Sequence, residues 1–153
     1  VISIARYPDD NAAVLEIWRE YIGRTQTNLD FQNNDAEFAR FPAGYELPDG
    51  CVLLARVGGA VSGCIAMRRH DETICEMKRL YVRSSARGLG LGGKLVSALI
   101  GQAHEAGYRE MRLDVLEEFE HARALYERFG FEPAEPITNN PVPRTSFMGL
   151  QLA

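Results

Sequence analysis

At 153 residues the chain has the length of one domain with a single core, and its 46% hydrophobic and 25% charged residues are those of an ordinary globular protein. The 17 Lys and Arg against 21 Asp and Glu leave a net charge of −4, so no basic excess draws the chain to nucleic acid or to anionic lipid. The longest unbroken apolar run, Cys51 to Ala55, falls far short of the roughly 20 residues of a membrane span, and no charged-then-apolar leader opens the chain. A cytoplasmic protein without a nucleic-acid or membrane partner is expected on those grounds, and the start at Val1 rather than Met leads us to expect a trimmed or processed chain. A homodimer is left open.

Ile2 to Ala5 is a short apolar stretch, and Asp9 and Asp10 stand where a helix cap belongs, ahead of Val14, Trp18, Tyr21 and Ile22 at helical spacing, with Gly23 as the stop. Thr25 to Gly50 is polar and mixed, with Asn33, Asn34 and Asp35 able to start a short helix through Phe38 and Phe41; it reads as a lid or a wall. Cys51–Val57, Gly58-Gly59 and Ala60–Met67 form a two-residue hairpin signal, and Thr73–Val82 is a third strand. After a glycine-rich stretch, Leu95, Val96, Leu99 and Ala103 mark a helix closed by Gly107. Met111, Leu113 and Val115 alternate with Arg112 and Asp114 as a strand. Ala122, Leu125, Tyr126 and Phe129 give a helix stopped by Gly130, with Glu117, Glu118 and Glu120 ahead of it, and Phe131 and Met148–Leu152 return as strands around the link Pro136–Pro143. The order β-α-α-β-β-β-α-β-α-β-β, without repeat or linker, predicts a single mixed α/β domain over 1–153.

Cys51, Cys64 and Cys75 are odd in number, widely spaced and on strands, with no C-x-x-C pair to hold a metal. They read as reduced thiols packed as small hydrophobes. The alternative, a cysteine nucleophile paired with His70, His104 or His121, has no local signature behind it.

The chemistry concentrates in Arg87-Gly88-Leu89-Gly90-Leu91-Gly92-Gly93-Lys94, between a strand and a helix. Such glycines let backbone N–H groups and a helix N-terminus converge on an anion such as a pyrophosphate, whereas a plain turn seldom needs four of them. Gly88-x-Gly90-x-x-Gly93 matches a dinucleotide fingerprint, with Asp114 as the ribose acid. That motif, however, follows its strand at once in repeated βαβ units, while here Arg83-Ser-Ser-Ala-Arg87 intervenes and an antiparallel hairpin comes first. Gly88-x-x-x-x-Gly93-Lys94 nearly completes a P-loop, but Leu95 occupies the place of the Mg²⁺-binding hydroxyl.

Arg87-x-x-Gly90-x-Gly92, after Glu76-Met-Lys-Arg-Leu-Tyr-Val82, resembles the acyl-CoA pyrophosphate loop of the GNAT superfamily of N-acyltransferases, and Ala122-Arg-Ala-Leu-Tyr126-Glu-Arg-Phe-Gly-Phe131 resembles that family's fourth helix and Gly-Phe exit. The resemblance implies a twisted mixed sheet, helices on both faces, in which parallel strands holding Leu80 and Leu113 splay apart. Acetyl-CoA would enter that splay as cosubstrate, its pantetheine along the backbone of Leu80, Tyr81 and Val82 and its pyrophosphate on Arg87, Gly88, Leu89, Gly90, Leu91, Gly92, Gly93 and Lys94. Glu76, eleven residues before Arg87, matches the position of a glutamate base in several members, acting through water; its alternative is a carboxylate ion-paired beside Lys78 or Arg79. Tyr126 matches the family's tyrosine acid toward the CoA sulfur, its alternative being a core tyrosine, and the Val82 amide would polarise the thioester carbonyl. Where members often carry an asparagine near the start of the fourth helix, this chain has Glu117-Glu-Phe-Glu-His121.

The activity so implied is acetyl transfer to a primary amine. A small molecule such as an amino acid is the favoured acceptor, with Trp18, Tyr21 and Phe31 as walls and Arg68, Arg69 and Arg144 as carboxylate partners, unless the aromatics are core and the arginines solvated. A protein or peptide acceptor and a non-catalytic CoA- or dinucleotide-binding module are the alternatives.

Overall fold

The computed structural model describes residues 1–24 and 34–152. The elements run β1 (Ile2–Ile4), α1 (Asn11–Arg24), α2 (Asn34–Arg40), β2 (Cys51–Val57), β3 (Ala60–Arg69), β4 (Ile74–Val82), α3 (Leu91–Glu105), β5 (Glu110–Val115), α4 (Glu120–Arg128), β6 (Glu132–Pro133) and β7 (Ser146–Gln151), in the order read from the sequence. Two boundaries differ. Helix α1 runs one residue past Gly23, and the strand after Phe131 is only two residues long because the proline-containing segment that follows it leaves the ladder. Phe31, and the part of the expected wall over residues 25–33, lie outside the described residues.

One seven-stranded sheet has the order β1-β2-β3-β4-β5-β7-β6. All neighbours are antiparallel except β4 and β5. The β2–β3 hairpin turns on Gly58 and Gly59, with φ of 58° and 84°, the pair of positive values that a tight two-residue hairpin demands and that glycine adopts without strain. Each face of the sheet carries its own core. On one, Leu91, Leu95, Val96, Leu99 and Ala103, spaced along α3, pack with Tyr126 of α4 on Ile65, Met67, Met77, Met111 and Leu113. On the other, Val14, Ile17 and Trp18 of α1 join Tyr45, Val52, Leu54, Cys64 and Ala66. Trp18 is fully buried within an aromatic group with Phe38, Phe41 and Tyr45, so it is core rather than acceptor wall. Cys51, Cys64 and Cys75 are free and buried on β2, β3 and β4. No helix among the described residues is long and apolar enough to cross a membrane.

Candidate active site

Strands β4 and β5 pair over three rungs only, Ile74–Glu110, Cys75–Met111 and Glu76–Arg112. Past Glu76 they part, β4 keeping its ladder to β3 and β5 its ladder to β7. The parting includes a β-bulge: the β3–β4 register steps from Ala66–Lys78 to Cys64–Tyr81, so Arg79 and Leu80 together face Ile65. Arg79 holds φ at 58°, a left-handed value that costs a non-glycine residue about 1–2 kcal/mol. Its guanidinium, almost wholly buried, donates to Glu37 Oε1, to Tyr45 Oη at 3.1 Å and to Asn34 Oδ1 at 3.2 Å, and lies 4.4 Å from the centre of the Trp18 ring. These contacts offset the strain and fix the bulge.

Beyond it, Arg83 N–H donates to Ser62 O at 2.8 Å. Because an antiparallel ladder alternates bonded and non-bonded pairs, the next pair, Gly63–Val82, turns the Val82 N–H away from β3 and toward the parted side. The backbone after Glu76 is thus a strand edge without a β5 partner, flanking a cleft between the parted strands. Met77, Lys78, Leu80, Leu113, Asp114, Tyr126 and Asn140 are among its lining residues.

The glycine-rich loop closes one end of this arrangement. Gly88 and Gly90 hold φ of 86° and 72°, and Gly90 caps α3 from a left-handed conformation, which leaves the first N–H groups of α3 without helical acceptors. Arg87, Gly88, Leu89, Gly90 and Lys94 are exposed. Leu91 turns its side chain into the core, so only its backbone faces the loop. Gly92 and Gly93 act differently: a Cβ on either would meet Leu125 of α4, at 3.4 and 3.8 Å.

Tyr126 is 6% exposed, leans on Phe131 with ring centres 5.7 Å apart, and lines the cleft. Burial first, then the neighbouring Tyr21 and Asp114, raises its pKa, and its hydroxyl has no hydrogen-bond partner among the described residues. It is a core tyrosine that also lines the cleft. Glu76 is buried on the last paired rung, at the closed end of the parting, and is not among the cleft's lining residues; its Oε1 accepts from Arg68 Nε at 3.0 Å, so its ion-pair partner is Arg68, not Lys78 or Arg79.

The arginines expected to bind a carboxylate are placed otherwise. Arg68 bridges Glu76 and Glu37, Arg144 is exposed beside Glu117 at 3.4 Å, and Arg69 is exposed. Glu37, Lys78 and Asn140 are what sequence reasoning missed. Glu37 has no local signal, Asn140 sits in a proline-containing link, and Lys78 is one of several charges on its strand. Asp114, weighed only as a ribose acid, is marked by alternation: with Met111, Leu113 and Val115 inward, it belongs to the opposite face, where its Oδ2 accepts from Asn140 Nδ2 at 2.7 Å. No group of His, Cys, Asp and Glu among the described residues could hold a metal.

The model of the acetyltransferase (GNAT) family matches residues 12–131, which spans α1 to the end of α4 and includes the parted strands, the loop and Tyr126. The chain belongs to the GNAT family. It is 38% identical over 154 residues to an uncharacterised N-acetyltransferase of Schizosaccharomyces pombe, covering 99% of this chain and 94% of that protein. In fold it is similar to an acetyltransferase of Streptococcus agalactiae, with a TM-score of 0.80 at 19% identity over 99% of this chain and 97% of the other. It is similar also to a GNAT acetyltransferase of Elizabethkingia anophelis solved with acetyl-CoA bound, with a TM-score of 0.64 at 17% identity over 99% and 97%. As a GNAT acetyltransferase the protein is an acyltransferase that uses acetyl-CoA. The residues present fit that group: an unpartnered strand edge, a loop whose two left-handed glycines have nothing within 4 Å of an added Cβ, and exposed Arg87 and Lys94 beside helix N–H groups.

Proposed function

We propose that this GNAT domain transfers acetyl to the primary amine of a small molecule such as an amino acid. When bound, acetyl-CoA supplies an activated acetyl thioester. The backbone from Leu80 to Val82 would hold the pantetheine arm, with the Val82 N–H directed at the thioester carbonyl, where negative charge develops. Arg87, Lys94 and the amides between them would hold the pyrophosphate. Glu76 would receive the ammonium proton through water, and Tyr126, kept protonated by its burial, would donate to the departing sulfur.

The single observation behind the small acceptor is the filling of the sheet's other face: α1, α2 and the aromatic group of Trp18, Phe38, Phe41 and Tyr45 cover it, which leaves a cleft rather than an open groove along β4. A cytoplasmic setting is part of the proposal, supported by three buried cysteines that are all free thiols. The test is thiol release from acetyl-CoA across amino acids, polyamines, aminoglycosides and short peptides. The proposal expects an amino acid or related small amine to lead; peptide rates tenfold or more above every free amine would overturn the small acceptor and leave acetyl transfer standing.

A further inference from the structure

The acceptor side of the cleft has a charge imbalance. On the face beneath α2, three cations, Arg68, Lys78 and Arg79, meet two carboxylates, Glu37 and Glu76. Glu37 Oε1 accepts from Arg79 and from Tyr45 Oη at 2.6 Å, Glu37 Oε2 from Arg68 at 3.3 Å, and Glu76 Oε1 from Arg68 at 3.0 Å. Lys78 Nζ is 3.9 Å from Glu37 Oε2, beyond hydrogen-bond reach, and its ammonium has no acceptor among the described residues. The cation left over, Lys78, lines the cleft, as the Glu37-bound Arg79 also does, and its side chain is only 10% exposed. A buried ammonium without a hydrogen-bonded counter-charge is costly.

Across the parting the sign reverses. Asp114 of β5 lines the same cleft, is held by the neutral Asn140, and has no ion pair among the described residues, with Lys78 or with any other cation. One wall therefore presents a positive charge in excess of its carboxylates and the other an unpaired negative charge, the latter on a side chain that Asn140 holds in place.

We propose that the acceptor carries both a primary amine and a carboxylate, the carboxylate binding Lys78 and the ammonium binding Asp114. This rests on the acetyl-transfer reading and narrows its acceptor to a zwitterionic, amino-acid-like molecule, which would neutralise both walls at once. It also replaces Arg68, Arg69 and Arg144 as carboxylate partners with a residue that faces the cleft. In the reaction, one ammonium proton leaves the acceptor for a protein carboxylate and then solvent, the N–C bond forms as the C–S bond breaks, and the second nitrogen proton balances the one that Tyr126 gives to sulfur. Asp114 holds the nitrogen while this happens.

Lys78 adds a pH signature. Burial first, then the charge of Arg79 and, with a smaller effect, that of Arg68 lower its pKa to about 8, against the opposing pull of Glu37 and Glu76; Asp114, Tyr21 and Tyr126 line the same cleft. Carboxylate binding needs the ammonium, so it weakens as pH rises through 8.

The experiment compares amino acids with their own amides and decarboxylated amines, by thiol release and by calorimetry of acceptor binding to the CoA-loaded protein, which needs no turnover. The expected result is kcat/KM higher for the amino acid by about tenfold or more, a ratio that falls above pH 8 and collapses in Lys78→Gln through KM. Asp114→Asn should raise KM for all three acceptors. Equal use of amino acid, amide and amine by the unaltered protein, or a ratio untouched by Lys78→Gln in a folded variant, overturns the proposal. If Lys78→Gln does not fold, the pH dependence of the ratio in the unaltered protein decides. Turnover of peptides alone sinks the proposal but spares acetyl transfer, whereas acetyl-CoA binding without thiol release to any amine sinks both.

Discussion

The two sides of β4 solve opposite problems by opposite means. On the α3 side, the region proposed to hold the cofactor is built from backbone: a strand edge freed where β5 departs, two left-handed glycines, and helix N–H groups, with Arg87 and Lys94 as exposed additions. On the α2 side, the region proposed to hold the acceptor is built from charged side chains bound to partners far along the chain, Glu37 to Arg79 over 42 residues and Asp114 to the neutral Asn140 over 26. Backbone recognition tolerates exchange of the side chains around it. A buried charge cluster does not, because removing one member leaves another unpaired.

The comparison is broken most severely at Glu37. Glu37→Ala leaves the Arg79 guanidinium buried and without its carboxylate, and unfolding in urea should show a loss of about 3–5 kcal/mol. Burial pulls the Glu37 pKa up, but the charges of Lys78 and Arg79 and the hydrogen bonds from Tyr45 and Arg79 outweigh it and hold the carboxyl below its usual 4.5. A carboxyl with a depressed folded pKa contributes stability that is present above the unfolded value and is lost as pH falls through the folded one. Unfolding followed from pH 6 downward should therefore show an acid limb below about 4.5 that shrinks in Glu37→Gln. A loss under 1 kcal/mol in Glu37→Ala would mean that Arg79 finds other partners and that the cluster does not fasten the bulge.

Next in size are the two groups proposed to move protons. Tyr126→Phe should lower kcat by about 100-fold with acetyl-CoA affinity intact, and by less when the acyl donor has a more acidic thiol. Glu76→Gln should lower kcat by a similar factor and flatten the low-pH limb of the rate profile. Because Glu76 is bound to Arg68, the same variant tests whether that carboxylate is a base or only a counter-charge; full turnover in Glu76→Gln would make it the latter.

The difference between the two sides is also the difference between what the sequence reveals and what it hides. Element order, the Gly58-Gly59 hairpin and the loop before α3 are local: periodicity and glycine placement encode them within a few residues, and the structure agrees with them. The parting of β4 and β5 follows from the family resemblance, not from any local signal. Neither the bulge at Arg79 nor the neutralisation of Arg68 by Glu76 and Glu37 is local, since Glu37 comes from a polar stretch whose pattern resembles any solvated segment. Trp18 shows the same limit from the other direction: its helical spacing marks a buried stripe, but only the tertiary packing shows that Arg79 lies over its ring.

A smaller effect sharpens the contrast within the loop. Arg87→Ala removes a cation from an exposed position, where phosphate contacts are screened, so acetyl-CoA affinity measured by calorimetry should fall by about tenfold and by less at high salt, with no change in folding stability. Affinity equal to that of the unaltered protein would place the pyrophosphate away from Arg87.

The smallest expected effect separates two kinds of glycine. Gly90 has φ of 72°, so Gly90→Val forces a β-branched residue into a left-handed conformation and should lower both stability and acetyl-CoA affinity. Gly93 has no such constraint: it lies in the first turn of α3, and an added Cβ would stand 3.8 Å from Leu125 Cδ1, an ordinary contact directed at α4 and away from the loop's open face. Gly93→Ala should therefore raise stability by about 0.4–1 kcal/mol, chiefly by restricting the unfolded chain, and leave acetyl-CoA affinity within about twofold. Thermal melts and calorimetry on the one variant read both quantities. A gain in stability joined to a clear loss of affinity would mean that bound acetyl-CoA approaches Gly93 from the α4 side, where the added methyl stands, and not only through the amides of the loop's open face.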